Sequence, residues 1–446
     1  MGMKEDVLAH VDPYNKLPTF TREQWEPIMD RYDCGKDGEN KDEWLGVIAD
    51  YIIDNDIEFP KKKTIQTSEL ATKKFHQLCK AAHGQWISNV EQDNVLEKYD
   101  DYRRPYSQYG LGVLDCHPVY NVISDYYMND LRMQCGYHAA PSPMVLWKDK
   151  EKLTRLLKFF YRTPAWQDGG GNINDKSWIS MFRLGSYMAT QFKPPVAKTI
   201  YHITKAKKIL DTSSGWGDRL TGFYCTPHAE EYVGTDPNTA AWERYIILCE
   251  NYEKLLGCTN PEITVYDKDD DIKRFTCVGK KKVVIFNLPA EDLPWHSLGT
   301  DFDCSFTSPP YFATERYAEG TESEDQQSWK KYGNYELWRD KFFIPVSEAS
   351  YKALGNGGHF LCNILDPTVK GKRYYASDEM IDYMEEKYPG CFIGQIGMKF
   401  TRRANVSQKT DEEFSSKCYI ENVWTFRKGE KKFDLFETVS LDKFFG

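Results

Sequence analysis

The sequence predicts an α/β protein. It reads as a doubly wound, mostly parallel seven-stranded sheet with an antiparallel last strand, preceded by a mainly helical N-terminal domain. Three observations predict this. From about residue 207 onward, short β-rich runs alternate with helical stretches, the pattern of parallel strands whose crossovers cover both faces of one sheet. The last two runs, "CFIGQIGMKF" (391–400) and "CYIENVWTFRK" (418–428), have no helix between them and so pair antiparallel. The first 160 residues instead carry apolar side chains at helical spacing.

Taken in order, "TREQWEPIMDRY", "EWLGVIADYIID" and "SELATKKFHQLCKAAH" are the N-terminal helices. Thr21 and Ser68 suit N-caps, and Gln24, three residues after Thr21, completes a capping-box pattern. "FPKKKT" (59–64) is a short basic loop, and residues 101–145 are tyrosine-rich and irregular. "PAWQDGGGNINDKSW" (164–178) has three consecutive glycines and no apolar period. No strand precedes it and no lysine stands where a phosphate-binding loop needs one, so it reads as a linker. The domains are therefore expected at 1–160 and 161–446. Beyond the linker the strands are "KKILDT" (207–212), "EYVGTD" (231–236), "KKVVIFN" (281–287), "FDCSFTS" (302–308) and "GHFLCNIL" (358–365), then the final pair. "AAWERYIILCENYEKLL" and "SDEMIDYMEEKY" are crossover helices.

Composition narrows the function classes. The 446 residues are 41% hydrophobic and 28% charged, which is globular. A formal net charge of −9 excludes a general polyanion binder, so any nucleic-acid contact must come from a local basic surface. The 12 cysteines stand singly with no CxxC pair, which argues against a zinc ribbon or redox dithiol, and no metal site is expected. "CHPVY" (116–120), with one Cys and one His, does not change that. "MGMKEDVLAH" is polar and acidic, and Asp6 stands where a myristoylation signal needs Ser or Thr. No apolar run reaches the length of a membrane span. The expectation is a cytoplasmic protein with reduced thiols, not secreted and with no membrane partner.

Ligands of doubly wound sheets sit at the carboxyl ends of the strands, so the residues there carry the chemistry. The first strand ends at Asp211 and runs through Ser213, Gly215 and Gly217 into a helix. The glycines allow a tight turn and close backbone approach to a ligand. A dinucleotide site wants a third glycine where Leu220 stands, which disfavours NAD. Asp236 ends the second strand, placed to accept hydrogen bonds from a ribose diol. Asn287 and Glu291 follow the third. The fourth ends in Ser308-Pro309-Pro310-Tyr311, where two prolines fix the backbone direction.

These motifs, in this order, resemble the S-adenosylmethionine-dependent methyltransferases that act on exocyclic amino groups of DNA bases. The resemblance covers about residues 183–430. "LDTSSGWG" looks like their first cofactor motif, "GTDPN" their second, and "FTSPPYF" their catalytic motif. "FKPPVAKTI" (192–200) resembles the helix-opening segment near the methionine end of the cofactor, which brings in Phe192 and Pro194. The resemblance implies S-adenosyl-L-methionine as cofactor, with Phe192, Pro194, Asp211, Ser213, Gly215, Gly217, Asp236, Asn287 and Glu291 around it. It implies Ser308, Pro309, Pro310 and Tyr311 as catalytic residues and DNA as partner. The serine variant points to cytosine N4 ahead of adenine N6. RNA is the alternative substrate, and a non-catalytic nucleic-acid-binding relic the alternative class.

The chemistry suits the stretch. An exocyclic amine delocalises its lone pair into the ring. If the Ser308 hydroxyl and the Pro309 carbonyl accept its two hydrogens, the nitrogen can pyramidalise toward a methyl donor. Tyr311 or Phe312 would stack on the base. Arg402 and Arg403, between the last two strands, would contact phosphates, as would Lys370, Lys372 and Arg373. Thr212-Ser213 departs from the family's usual Pro-Phe. No long insertion follows Tyr311, so target recognition falls by elimination to the N-terminal region.

Overall fold

Strands buried on both faces need near-continuous apolar side chains, and the central runs of this chain provide them. In "KILD", Ile209 and Leu210 are both fully buried. A computed structural model describes residues 2–60, 67–88, 108–137, 140–163, 165–166, 171–267, 272–401 and 418–438. In chain order its large sheet comprises β1 (Gly110–Asp115), β2 (Lys208–Asp211), β3 (Glu231–Thr235), β4 (Glu262–Tyr266) and β5 (Arg274–Val278). It continues with β6 (Lys282–Phe286), β7 (Phe302–Thr307), β8 (Leu354–Asn363), β9 (Phe392–Thr401) and β10 (Cys418–Arg427). The spatial order is β1-β9-β10-β8-β7-β2-β3-β6-β5-β4.

The fold class read from the sequence is the one observed. β2 lies parallel to β3 and β7, β3 to β6, and β7 to β8. β10 runs antiparallel between β8 and β9. Among the described residues the sheet has ten strands where the sequence reading had seven. β4 and β5 form an antiparallel extension on β6, and β1 lies parallel on the far side of β9. These additions escaped the sequence reading because they lie at the sheet margins. β4 keeps exposed or half-exposed residues throughout, and β1 opens with two glycines within three positions.

β2, β3 and β6 step away in one direction while β7 and β8 step away in the other. The order therefore reverses between β2 and β7, and the crevice beyond their carboxyl ends is the topological switch point. The glycine turn leaves β2 there, and Ser308-Pro309-Pro310-Tyr311 leaves β7.

The contacts divide the chain into two compact units. One comprises 1–68, 129–190 and 315–319; the other, with the sheet, comprises 69–128, 191–314 and 320–446. The chain thus crosses between units several times, where the sequence reading placed one division at 160/161. The first unit contains α1 (Arg22–Tyr32), α2 (Glu43–Asp54), α4 (Lys150–Leu157) and α5 (Asp175–Gly185). As the capping box requires, the Gln24 side chain accepts the Thr21 N–H at 2.8 Å. Trp25, Trp44, Phe160 and Trp178 anchor the unit's own core. The sheet unit holds most of α3 (Ser68–Lys80), then α6 (Pro194–Ile203), α7 (Asp218–Tyr224), α8 (Thr239–Leu255), α9 (Ile344–Lys352) and α10 (Ala376–Lys387). Among the described residues no helix is long and apolar enough to cross a membrane.

Candidate active site

The turn after β2 is built on a buried ion pair. The Asp211 carboxylate, fully buried, receives Arg219 Nε at 2.8 Å, Arg219 Nη2 at 3.2 Å and the Tyr232 hydroxyl at 2.6 Å. The Ser213 N–H also donates to it at 3.1 Å. Its oxygens are thus spent within the protein, and its contribution is to hold the loop in shape. Phe192 lies under the same guanidinium, 5.4 Å from ring centroid to carbon, with its edge toward Phe306. Pro194 opens α6, which packs so closely on α7 that a Cβ at Gly222 would lie 2.6 Å from that of Ala197.

Gly215 and Gly217 have φ of 61° and 77°, the left-handed region that side chains resist. The Gly215 N–H donates to Asp236 Oδ2 at 2.9 Å, and the Tyr245 hydroxyl bridges the Gly215 carbonyl and the same carboxylate. Asn238 N–H takes Asp236 Oδ1 at 2.9 Å, leaving that oxygen a further lone pair. Burial pushes the Asp236 carboxyl up to about 6. Asn287 holds this second loop from behind: its Nδ2 donates to the Asp236 carbonyl at 3.0 Å, and its Oδ1 accepts from Thr239. Glu291 Oε1 accepts from Lys331 and Tyr332 at 2.8 and 2.7 Å, while its Oε2 is buried without a partner.

Asp218, immediately after the second glycine, was missed in the sequence. Ser124 and Gln191 donate to its Oδ1, and its buried Oδ2 has no partner among the described residues. Burial pushes its carboxyl up to about 7. An acid adjoining a glycine turn was the signal available.

At the end of β7, three polar groups form a triangle. Ser308 Oγ and the Tyr311 hydroxyl each lie 3.2 Å from Asn363 Oδ1 and 3.3 Å from one another. Asn363 closes β8, is 2% exposed, and donates its Nδ2 to the Asn422 carbonyl on β10 at 3.1 Å. That bond fixes the amide so that its oxygen faces the hydroxyls. A hydroxyl donating to it leaves its own oxygen as an acceptor. Asn363 was also missed, although a lone Asn ending the apolar run "GHFLC" was a visible signal. The Pro310 carbonyl accepts the Phe312 N–H at 2.9 Å, whereas the Pro309 carbonyl accepts no hydrogen bond among the described residues.

Phe312 requires a correction. It is 6% exposed, its φ is 51°, and its ring packs against Tyr335, Trp338 and Tyr374. It is a wall of the loop and offers no stacking face. Arg402 and Arg403 lie outside the described residues.

The structure therefore brings Ser213, Gly215, Gly217 and Asp236 to one side of the switch point and Ser308–Tyr311 to the other. The left-handed glycines of the turn let a ligand approach the backbone closely there.

No protein-family model and no curated protein matches the chain. Solved structures do. Trm1 from Pyrococcus horikoshii, in complex with S-adenosyl-L-methionine, is 13% identical with a TM-score of 0.32, over 56% of this chain and 58% of that one. An S-adenosylmethionine-dependent O-methyltransferase from Thermotoga maritima is 11% identical with a TM-score of 0.28, over 55% and 69%. An rRNA methylase from Streptococcus thermophilus is 9% identical with a TM-score of 0.28, over 54% and 100%.

Proposed function

We propose that the chain transfers a methyl group from S-adenosyl-L-methionine to the exocyclic amino group of a nucleic-acid base, cytosine N4 ahead of adenine N6 in DNA. The observation that carries this reading is the pair of acceptors at the end of β7. Ser308 Oγ is oriented by Asn363, and the Pro309 carbonyl accepts no hydrogen bond among the described residues. A hydroxyl oxygen and a backbone carbonyl on adjacent residues, each able to accept, fit the two hydrogens of an NH2 group.

When bound, S-adenosylmethionine supplies an electrophilic methyl on a sulfonium. Gly215 and Gly217 would let the backbone approach it, Asp236 would accept from its diol, and Asp218 and Glu291 would brace the loops around it. Ser308 and Pro309 hold the acceptor amine, drawing its hydrogens aside so that the lone pair is exposed. Their dipoles would stabilise positive charge developing on the nitrogen as its bond to the methyl forms and the methyl's bond to the sulfonium breaks, leaving a neutral thioether; the methylated amine would then lose one proton to water. Tyr311 limits the base's approach. In duplex DNA the base must first leave the stack, at roughly a few kcal/mol. The N-terminal region is proposed to take part in target recognition.

The test is transfer of labelled methyl into unmodified duplex DNA, followed by nucleoside mass spectrometry, with Ser308→Ala alongside. N4-methylcytosine, lost or reduced at least tenfold in the variant, is expected. N6-methyladenine would overturn the base assignment. Tight cofactor binding with product only on RNA would move the substrate class, and no cofactor binding would overturn the reading.

A further inference from the structure

Beyond Asn363 the chain crosses Ile364 and Leu365 and folds into a small hairpin, Thr368–Val369 paired with Lys372–Arg373. Lys370 and Gly371 form its tip, both with left-handed φ, at 50° and 78°. Lys370, Lys372 and Arg373 are all exposed. Lys370 and Lys372 form no ion pair among the described residues. Arg373 reaches Asp366 at 3.3 Å while its own side chain stays 60% exposed. Asp366 in turn anchors the hairpin base by accepting the Ser377 N–H and hydroxyl at 3.1 and 2.8 Å.

Two aromatic side chains follow these charges and pack against them. Lys372 Nζ lies 4.6 Å from the Tyr374 ring centroid, and the Arg373 guanidinium 5.4 Å from that of Tyr375. Tyr375 is 55% exposed, so one face of its ring is open to a ligand. Tyr374 stacks on Tyr335 at 4.2 Å and touches the Phe312 ring at 6.0 Å. The hairpin is therefore tied on one side to Asn363 and on the other to the residue after Tyr311. It stands beside the proposed amine-holding site.

We infer that this hairpin is a docking surface for an unpaired nucleic-acid strand flanking the target base. Lys370, Lys372 and Arg373 meet backbone phosphates, and Tyr375 stacks on a neighbouring base. Cations supply the salt-dependent attraction, and an exposed aromatic face takes any base whose own face is free. A paired base has no free face, so Tyr375 favours an unpaired strand over a duplex. In a chain of net charge −9, a positive cluster placed here is a local complement to phosphate. The choice of polymer rests on the proposed function; the surface itself does not.

The test is fluorescence anisotropy with the full chain and labelled oligonucleotides of about 20 nucleotides, longer than the ~4–16 that one such surface occupies. The probes are unpaired DNA, unpaired RNA of the same sequence, and the DNA duplex, each across a salt series. Unpaired strands should bind more tightly than duplex. Tyr375→Ala should weaken them roughly tenfold at every salt concentration. The double variant Lys370→Ala/Lys372→Ala should flatten the salt slope by about 0.7 per lost contact. Both variants should bind S-adenosylmethionine like the wild type, which shows that the site next door is folded. Variants that bind strands unchanged, or a preference for duplex, would overturn the inference. So would a protein that binds the cofactor but no strand, and the methyltransferase reading would then survive it. A protein that binds strands through the hairpin but no cofactor would do the reverse. A difference between the DNA and RNA arms identifies which polymer the surface serves.

Discussion

Asn363→Leu removes the amide that aims Ser308 while keeping nearly the same volume. In the native site Asn363 Oδ1 accepts from Ser308 and Tyr311 at 3.2 Å each, so the Ser308 proton has one favoured direction. Without that acceptor the hydroxyl samples its staggered wells, and restricting it to one of three costs about 0.65 kcal/mol. The lost hydrogen bond adds about 1 kcal/mol. Together these predict a kcat lower by roughly tenfold, since 1.36 kcal/mol is a factor of ten. Cofactor affinity should not change. The Asn422 carbonyl, left without its donor, should cost a further 1–3 kcal/mol or so in stability, read by chemical denaturation. Asn363→Asp separates the two effects. Its carboxylate accepts from both hydroxyls and should restore most of the rate, while losing the donor to Asn422. Facing a carbonyl oxygen when buried, that carboxyl should have a raised folded pKa. That carboxyl's contribution to the variant's stability, taken relative to wild type, should then be complete at low pH and be lost as pH rises through that pKa. Single-turnover methyl transfer checks the rates. An Asn363→Leu enzyme within twofold of wild type, or an Asn363→Asp enzyme no faster than it, would refute the argument.

Two further outcomes follow from buried titrating groups. Asp236, pushed up to about 6, must be ionised to accept fully from a diol, so cofactor affinity should weaken as pH falls through about 6; calorimetric titration should show that dependence vanish in Asp236→Asn. His359 is 2% exposed, has no hydrogen-bond partner on either ring nitrogen among the described residues, and is lowered by burial to about 4. The unfolded chain takes up a proton first, near 6.5, so this contribution to stability is complete above that pH and is lost toward 4. The loss should reach roughly 3 kcal/mol and be absent in His359→Phe, as pH-dependent denaturation curves would show.

What was legible in the sequence lay where local chemistry and strand position coincide. Gly215, Gly217 and the paired prolines declare their backbone needs by residue type alone, so their places at the strand ends were readable. Asp211 was read as a ligand because only its position was visible; that Arg219 and Tyr232 consume its oxygens is a matter of tertiary packing. Asn363 sits 55 residues from Ser308, and only the pairing of β7 with β8 puts them together. Phe312 was misread for a related reason. An aromatic beside a catalytic motif suggests a platform, but a left-handed backbone turns this ring inward. β4 and β5 lack the continuous apolar run by which central strands announce themselves.

The central place of β10 has a consequence for how the protein comes into being. Among the described strands of the sheet it is the last to emerge during synthesis, yet its position is internal, between β8 and β9. Until it arrives, both neighbours present an open edge inside an unfinished sheet, where a second nascent chain could pair. Its arrival also delivers the Asn422 carbonyl that orients Asn363. Closing the sheet and arming the amine-holding site are thus one event, and a polypeptide cut short before β10 would be both sticky and inert.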